Sequence, residues 1–516
     1  MSTGGVDVHA DTYLDSLLLM VATVSMDGVD GVEWAGAVMA SAKGLEDLAA
    51  AGFTGGELEG LGANDLVLAV RAVGDDALAT ALEAGRQAAF AERTQSAQAA
   101  ETALRSVAEA AARLDGANVA IVSVPGEYAA LEAHHALSAG LHVLLFSDGV
   151  PLEEEIELKD RAAELGLLVM GPGAGTAVLG GVGLGFANVL DGRGSATGAV
   201  GVVAAAGTGA QEVSTLLARW GVPVSQVIGV GGRDLSEAVG GRMAQVAARA
   251  LAADPGTHAV LLVSKPPAAA AAKAVLGECT DTPGVAVFLG LDGPEPPPGV
   301  QMSATLEAGA QAAAALVGVQ PPTLFDGLEP LVAAAGHRLG AERVRVQGLY
   351  SGGTLCYEAQ AILSAHLGPV HSNEPLRKGN GVPAPEGAHV LLDLGAEEYT
   401  RGVPHPMIDP TTRLELLRQQ ADDPTLAVVL LDVVLGHGSH EDPAGQLAPL
   451  CAELMADGGP QVVAYVLGTE QDPQVYSRQR AVLEAVGCIV PETNARAAHV
   501  AAALALRRPE LVRTAS

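Results

Sequence analysis

From residue 116 to the end of the chain, short apolar runs alternate with longer amphipathic stretches. That alternation predicts layered α/β structure, with buried parallel strands joined by crossover helices. "ANVAIVSV" (117–124), "LHVLLFSD" (141–148) and "LLVMG" (167–171) read as three strands, with helices through "AALEAHHALSAG" and "PLEEEIELKDRAAELG" between them. The loop after the first strand is "VPGEY", so the glycine fingerprint of a tightly held dinucleotide is missing. Residues 172–198 are glycine-rich and read as an extended crossing segment. More α/β units fill 199 to about 319, then a helical connector, "PLVAAAGHRLGAE", leads to a last set over 344–506. Upstream, residues 12–85 predict a small α/β unit. Residues 86–115, rich in alanine and without Gly or Pro, predict a helical connector. The expected divisions are 1–85, 86–115, 116–190, 191–320, 321–343 and 344–516.

The last two α/β sets resemble each other. "GVVAAAGTGAQEV" (201–213) matches "QGLYSGGTLCYEA" (347–359), and "VIGVGGRDLSEAVGG" (227–241) parallels "LLDLGAEEYTRGVPH" (391–405). "AVLLVSKPP" (259–267) parallels "AVVLLDVVLGHG" (427–438), and "GVAVFLG" (284–290) parallels "VVAYVLG" (462–468). Four similarities in the same order indicate a duplicated α/β domain. The duplication places two Gly-Thr turns where they could face one site.

Length fits several domains. A net charge of −31 argues against nucleic-acid and anionic-membrane partners, although an acidic proteome explains the charge as well. The four cysteines (Cys279, Cys356, Cys451 and Cys488) form no CxxC pair and read as free thiols in a reducing compartment. No apolar run is long enough to span a bilayer, and "MSTGGVDVHADTYLDS" lacks the basic start of a secretory leader. The expected location is the cytoplasm.

Candidate chemistry gathers at strand ends. Gly207, Thr208 and Gly209 would open a helix whose unpaired amides suit a phosphate, although such a turn on its own is more often structural. Ser351, Gly352, Gly353 and Thr354 repeat the arrangement, which favours a pair of anion cradles. Glu212, one turn on, could orient a substrate amine or simply favour the helix dipole. Arg233 could grip phosphate or carboxylate, or pair with Asp234. Lys265, before two prolines, could meet an anion or serve as a surface lysine. Arg401 and His405 lie in the polar loop "YTRGVPHPMIDPTTR", where His405 could act as acid or base. His437 and His440 in "GHGSHED" lack a defined third metal ligand, so a strand-end loop with His437 as a proton carrier is preferred, and no metal is expected.

These strings, with "LLVMGPGAGTAVLGGVGLGFANV" and "DLGAEEYTRGVPHPMIDPTTR", resemble the FdrA family, itself similar to succinyl-CoA synthetases. The resemblance spans essentially the whole chain. It implies a multidomain α/β protein: a small N-terminal domain, a CoA-binding-like Rossmann domain and two flavodoxin-like succinyl-CoA ligase domains. In the synthetases a phosphohistidine lies between two helix starts, corresponding here to Gly207-Thr208 and Gly353-Thr354. The histidine motif should follow Gly290, but the chain reads "GLDGPEPPPGVQ" with no histidine. The family pattern also places Asp-Cys where this chain has Gly173 and Ala174. The resemblance therefore implies carbamoyl transfer between carbamoyl phosphate and a small carboxylate such as oxamate, in allantoin breakdown. It further implies companion subunits encoded nearby, an oligomer, and no cofactor. CoA and nucleotide belong only to the alternative, an acyl-CoA ligase. A non-catalytic scaffold is the third reading.

Overall fold

The computed structural model describes the chain except residues 1, 11, 13, 15, 59, 97–103, 191–197, 280–281, 291–294, 323–326, 402, 421–422 and 514–516. Two compact units emerge, Met1–Leu104 and Arg105–Ser516. The first is a three-stranded antiparallel sheet of order β1-β3-β2. It runs β1 (Ser2–His9), α1 (Ser16–Asp27), β2 (Val32–Met39), α2 (Ala42–Ala50), β3 (Leu66–Val73) and α3 (Asp75–Ser96). Central β3 buries Leu66 to Val70 completely, as a strand covered on both faces must. The expected connector at 86–115 is not one element: α3 reaches back to Asp75, and a separate α4 (Val107–Arg113) begins on a Ser106 cap. Part of that span lies outside the described residues.

The second unit holds three sheets. The first is parallel, ordered β4-β5-β6, from β4 (Val119–Val122), α5 (Gly126–Ser138), β5 (His142–Leu145), α6 (Leu152–Leu165) and β6 (Val169–Met170). A hairpin then stands where an extended crossing segment is expected over 172–198. It consists of β7 (Thr176–Leu179) and β8 (Val182–Gly185), and β7 adds antiparallel to the next sheet. Gly180 and Gly181 both adopt positive φ, 56° and 80°, which a two-residue hairpin turn needs.

The next sheet is ordered β13-β12-β11-β9-β10-β7-β8. It is built from β9 (Val200–Ala205), α7 (Gly207–Arg219), β10 (Val224–Gly229), α8 (Arg242–Ala253), β11 (Ala259–Ser264), α9 (Ala269–Gly277), β12 (Gly284–Phe288), β13 (Val300–Ser303) and α10 (Leu306–Leu316). After α11 (Leu328–Arg338) comes a sheet of order β15-β16-β14-β17-β18. Its elements are β14 (Arg345–Tyr350), α12 (Gly353–Leu367), β15 (Val370–His371), β16 (His389–Asp393), α13 (Glu397–Thr400), α14 (Thr411–Arg418), β17 (Leu426–Val434), α15 (Pro443–Met455), β18 (Gln461–Leu467), α16 (Tyr476–Ala485) and α17 (Asn494–Leu506).

The four pairs of similar strings occupy matching strands. The first lobe reads β12-β11-β9-β10 and the second β18-β17-β14-β16, so the repeated sequences build one topology twice. Helices α7, α10, α12 and α17, with α10 and α17 rich in alanine, share a continuous core between the lobes. Small side chains let those helices approach closely, and that closeness brings the two Gly-Thr turns together.

Candidate functional site

The starts of α7 and α12 meet at the carboxyl ends of β9 and β14, the end of an open α/β sheet where ligands bind. A Cβ on Gly209 would lie 2.9 Å from Thr354 Cγ2, and one on Gly352 would lie 2.9 Å from Thr208 Cγ2. Glycine at both places is a packing requirement. Beside this junction opens a cavity of about 500 Å³ whose lining includes Gly207, Lys265, Asp148, Asp393 and His405.

The two helix starts differ. Ala206 caps α7 with extended backbone (φ −158°), and no side chain bonds its first-turn amides. A Cβ on Gly207 would meet nothing within 4 Å, so this end is open. At α12 the equivalent space holds Asp432. Its Oδ1 accepts from Ser351 N–H (2.8 Å) and Ser351 Oγ (2.9 Å), and its Oδ2 accepts from Gly352 N–H (2.7 Å). Arg413, only 3% exposed, pairs with the same carboxylate and donates to Asp432 O (2.6 Å) and Leu349 O (3.2 Å). Of the first-turn amides of α12, Thr354 N–H donates to Thr208 Oγ1 at 3.3 Å. Strand register gives the cause. Val203 pairs with Leu262 and its counterpart Leu349 with Leu431, so Val263 and Asp432 hold equivalent positions. The valine of the first lobe offers no acceptor there, whereas the carboxylate of the second binds the two amides that lead into α12.

Three polar groups face the cavity across from α7. Asp393, at the end of β16, is 6% exposed. Burial pushes its carboxyl up to about 6, helped by Glu374 and Asp432 and opposed by Lys265 and the Gly395 N–H. His405 is held down to about 4, chiefly by burial and further by Arg413, against the pull of Asp432. It is therefore neutral at pH 7, and because Nδ1 accepts from Met407 N–H (3.2 Å), the proton is assigned to Nε2. Asp148 is raised by burial and by Glu397, with Arg233 opposing. Lys265 Nζ sits 5.8 Å from the Tyr357 ring centroid.

The expected site residues divide accordingly. Gly207, Thr208, Lys265, Ser351, Gly353, Thr354 and His405 line the cavity. Gly209 and Gly352 sit in the helix junction beside it. Four of the expected residues lie away from this cavity. Arg401 is 79% exposed and pairs with Glu397, so it points away. Arg233 is spent on Glu155 (2.8 Å) and the Val150 carbonyl (2.7 Å), while Asp234 instead binds Lys159 and the first amides of α8. His437 is exposed outside the cavity, its backbone N–H donating to Ala187 O at 3.2 Å. Glu212 is buried between the lobes, bonded to the Tyr465 hydroxyl, where it cannot meet a substrate in this cavity. Asp148, Asp393 and Asp432 are not among the expected candidates. Asp148 and Asp393 end apolar strand runs ("LLFSD", "LLDLG") and Asp432 interrupts one ("LLDVV"), the one signal that could have found them.

A family model described as CoA-ligase matches residues 349–504, and one described as the heavy-metal-associated domain of AllF matches residues 1–106. YahF of Escherichia coli K12 is 36% identical over 509 residues, covering 94% of this chain and 96% of that protein. The chain belongs to the YahF family. The subunit SauD of an ADP-forming sulfoacetate-CoA ligase from Bilophila wadsworthia is 32% identical over 151 residues, 29% of this chain and 50% of SauD. A dinucleotide-forming acetyl-coenzyme A synthetase of Ca. Korarchaeum cryptofilum aligns over 79% of this chain and 86% of that one, at 13% identity and a TM-score of 0.32.

The residues present do not fit the groups these names bring to mind. Residues 1–106 contain no cysteine, His9 pairs with Asp7 (3.3 Å), and Asp7 also takes Arg86 (3.2 Å), so a thiolate-type metal site has no donors there. Among the described residues no group of three or more His, Cys, Asp or Glu could hold a metal ion. A Cβ on Gly126 would overlap the backbone of Asp148 and Gly149, so that loop covers the α5 start, where nucleotide phosphates would rest. Among the described residues no helix is long and apolar enough to cross a membrane.

Proposed function

We propose that this YahF-family protein is a carbamoyltransferase subunit that moves a carbamoyl group between carbamoyl phosphate and a small carboxylate bearing an amide. The open start of α7 carries the reading. Three unpaired amides, the helix's partial positive charge and nearby Lys265 suit one phosphate, which they would stabilise as it leaves. The acceptor nitrogen attacks the carbamoyl carbon, the carbon–oxygen bond to phosphate breaks, and phosphate departs with the electron pair. The nitrogen's proton passes to a carboxylate of the cleft. No covalent enzyme group is required, in keeping with the missing histidine after Gly290 (residues 291–294 lie outside the described set). Companion subunits and an oligomer belong to the same proposal, as does a cytoplasmic location. The AllF-type match at residues 1–106 supports it.

A second reading, an acyl-CoA ligase, is favoured by the CoA-ligase match over 349–504. The purified chain, with and without its companions, should be given carbamoyl phosphate and oxamate. Carbamoylated product without CoA consumption is expected. CoA thioester formation with nucleotide turnover would instead establish the ligase.

A further inference from the structure

The parallel sheet β4-β5-β6 is bare along one side. β4 pairs with β5, and among the described residues no strand lies against its other edge. Asn118 O and Val122 O accept from His142 N–H (2.8 Å) and Phe146 N–H (2.9 Å), so Val119 and Ile121 turn their N–H and C=O to the open side. Nothing blunts that edge, since β4 holds neither a charge nor a proline. Nor is it covered. Leu144, opposite Ile121 on β5, is fully buried, whereas Ile121 is 54% exposed. Among the described residues seventeen large apolar side chains stand exposed, and five of them gather here. Leu114 ends α4, Ile121 lies on β4, and Val124, Tyr128 and Leu131 run from the following loop into α5. Such crowding is not the single scattered apolar residue that any surface tolerates.

We infer that a second copy of this chain docks on the edge, β4 antiparallel to β4 about a two-fold axis, joining two three-stranded sheets into one of six. A strand edge meets its own copy with matching length and twist, and the axis sets the same apolar side chains against each other. Charge favours that occupant. Two chains of net charge −31 repel, but residues 105–131 carry Arg105 and Arg113 against Glu109, Asp115 and Glu127, a net of only −1. Area favours it too. The five side chains expose on the order of 450 Å² of apolar surface. Doubled, and joined by the strand edges and their polar rim, that approaches the roughly 1,200 Å² at which specific interfaces begin. The pairing does not depend on the transferase reading.

The test is the mass of the full chain in solution, without substrate. Analytical ultracentrifugation at micromolar concentration should show twice the 51.8 kDa of one chain. Ile121→Lys and Leu131→Glu each put a charge at an exposed position. Each should raise the dimer dissociation constant by about thirty-fold or more, as loss of a central apolar anchor does. Val182→Lys, at an equally exposed valine of the β7-β8 hairpin, should leave it unchanged. Wild-type circular dichroism in all three variants shows that they have folded. A monomeric wild type overturns the inference and leaves the edge to a companion subunit. A dimer that survives both Ile121→Lys and Leu131→Glu overturns it as well, because the copies then meet elsewhere.

Discussion

The starts of α7 and α12 come from the same repeated sequence, yet no side chain bonds the first-turn amides of α7, whereas the protein's own carboxylate binds the two amides that lead into α12. At α7, Val263 lies beneath the helix start and the first-turn amides are free. At α12, Asp432 takes Ser351 and Gly352, and Arg413 neutralises it. On the proposed reading, phosphate sits at the α7 start alone. The second helix start has become a buried electrostatic brace.

The largest effect should follow from breaking that brace. Asp432→Ala leaves Arg413 buried without its partner and should destabilise the chain by about 3–5 kcal/mol. Val263→Ala, the same place in the first lobe, removes two buried methyls and should cost only about 2 kcal/mol. Urea unfolding of both variants checks the contrast, and similar losses would erase it. Next comes Thr208→Val. Thr208 Oγ1 accepts from Thr354 N–H, so its removal should cost roughly 1–3 kcal/mol of stability. Phosphate affinity should hold, because the cradle's donors are backbone amides, and a loss of affinity without a loss of stability would reverse that role.

A smaller effect concerns the symmetry that survives. Glu212 and Glu358 stand at matching places on α7 and α12 and share Asn494, which donates its backbone N–H to one (3.5 Å) and its side-chain amide to the other (2.8 Å). Burial raises Glu212 to about 8 and Glu358 to about 7, with Glu358 further raising Glu212. Both ionise near the ordinary value when unfolded. Between about pH 4.5 and 8 the folded state therefore binds more protons, and stability falls as pH rises through that window. Glu212→Gln should flatten the fall, and unfolding midpoints at a series of pH values would show whether it does. A stability that rises across the window would refute the assignment.

Much of this was legible in the residues. The four matched strings announced the duplication, and strand order follows them. "AAAGTGAQEV" and "YSGGTLCYEA" correctly located two helix starts. The occupant of the second was not legible, because "LLDVV" names an acid in an apolar strand without saying which amides it meets. That depends on register between β14 and β17, a long-range property. Arg401 and His437 misled for the opposite reason: their motifs are polar and dense, but a loop's sequence does not fix which way its side chains turn. Asp393 became visible only when β16 set it beside Gly353, where a Cβ would overlap its carboxyl.

The asymmetry itself is tested most directly by counting phosphates. Isothermal titration of the chain with inorganic phosphate should give one site per chain. Gly207→Pro keeps the helix, since proline suits its first position, but deletes one cradle amide. It should weaken that site by roughly ten-fold or more, the loss of one hydrogen bond to a charged group. Ser351→Ala, at the closed start, should leave it unchanged. Two phosphates per chain, or wild-type affinity in Gly207→Pro, would contradict a single open cradle at α7.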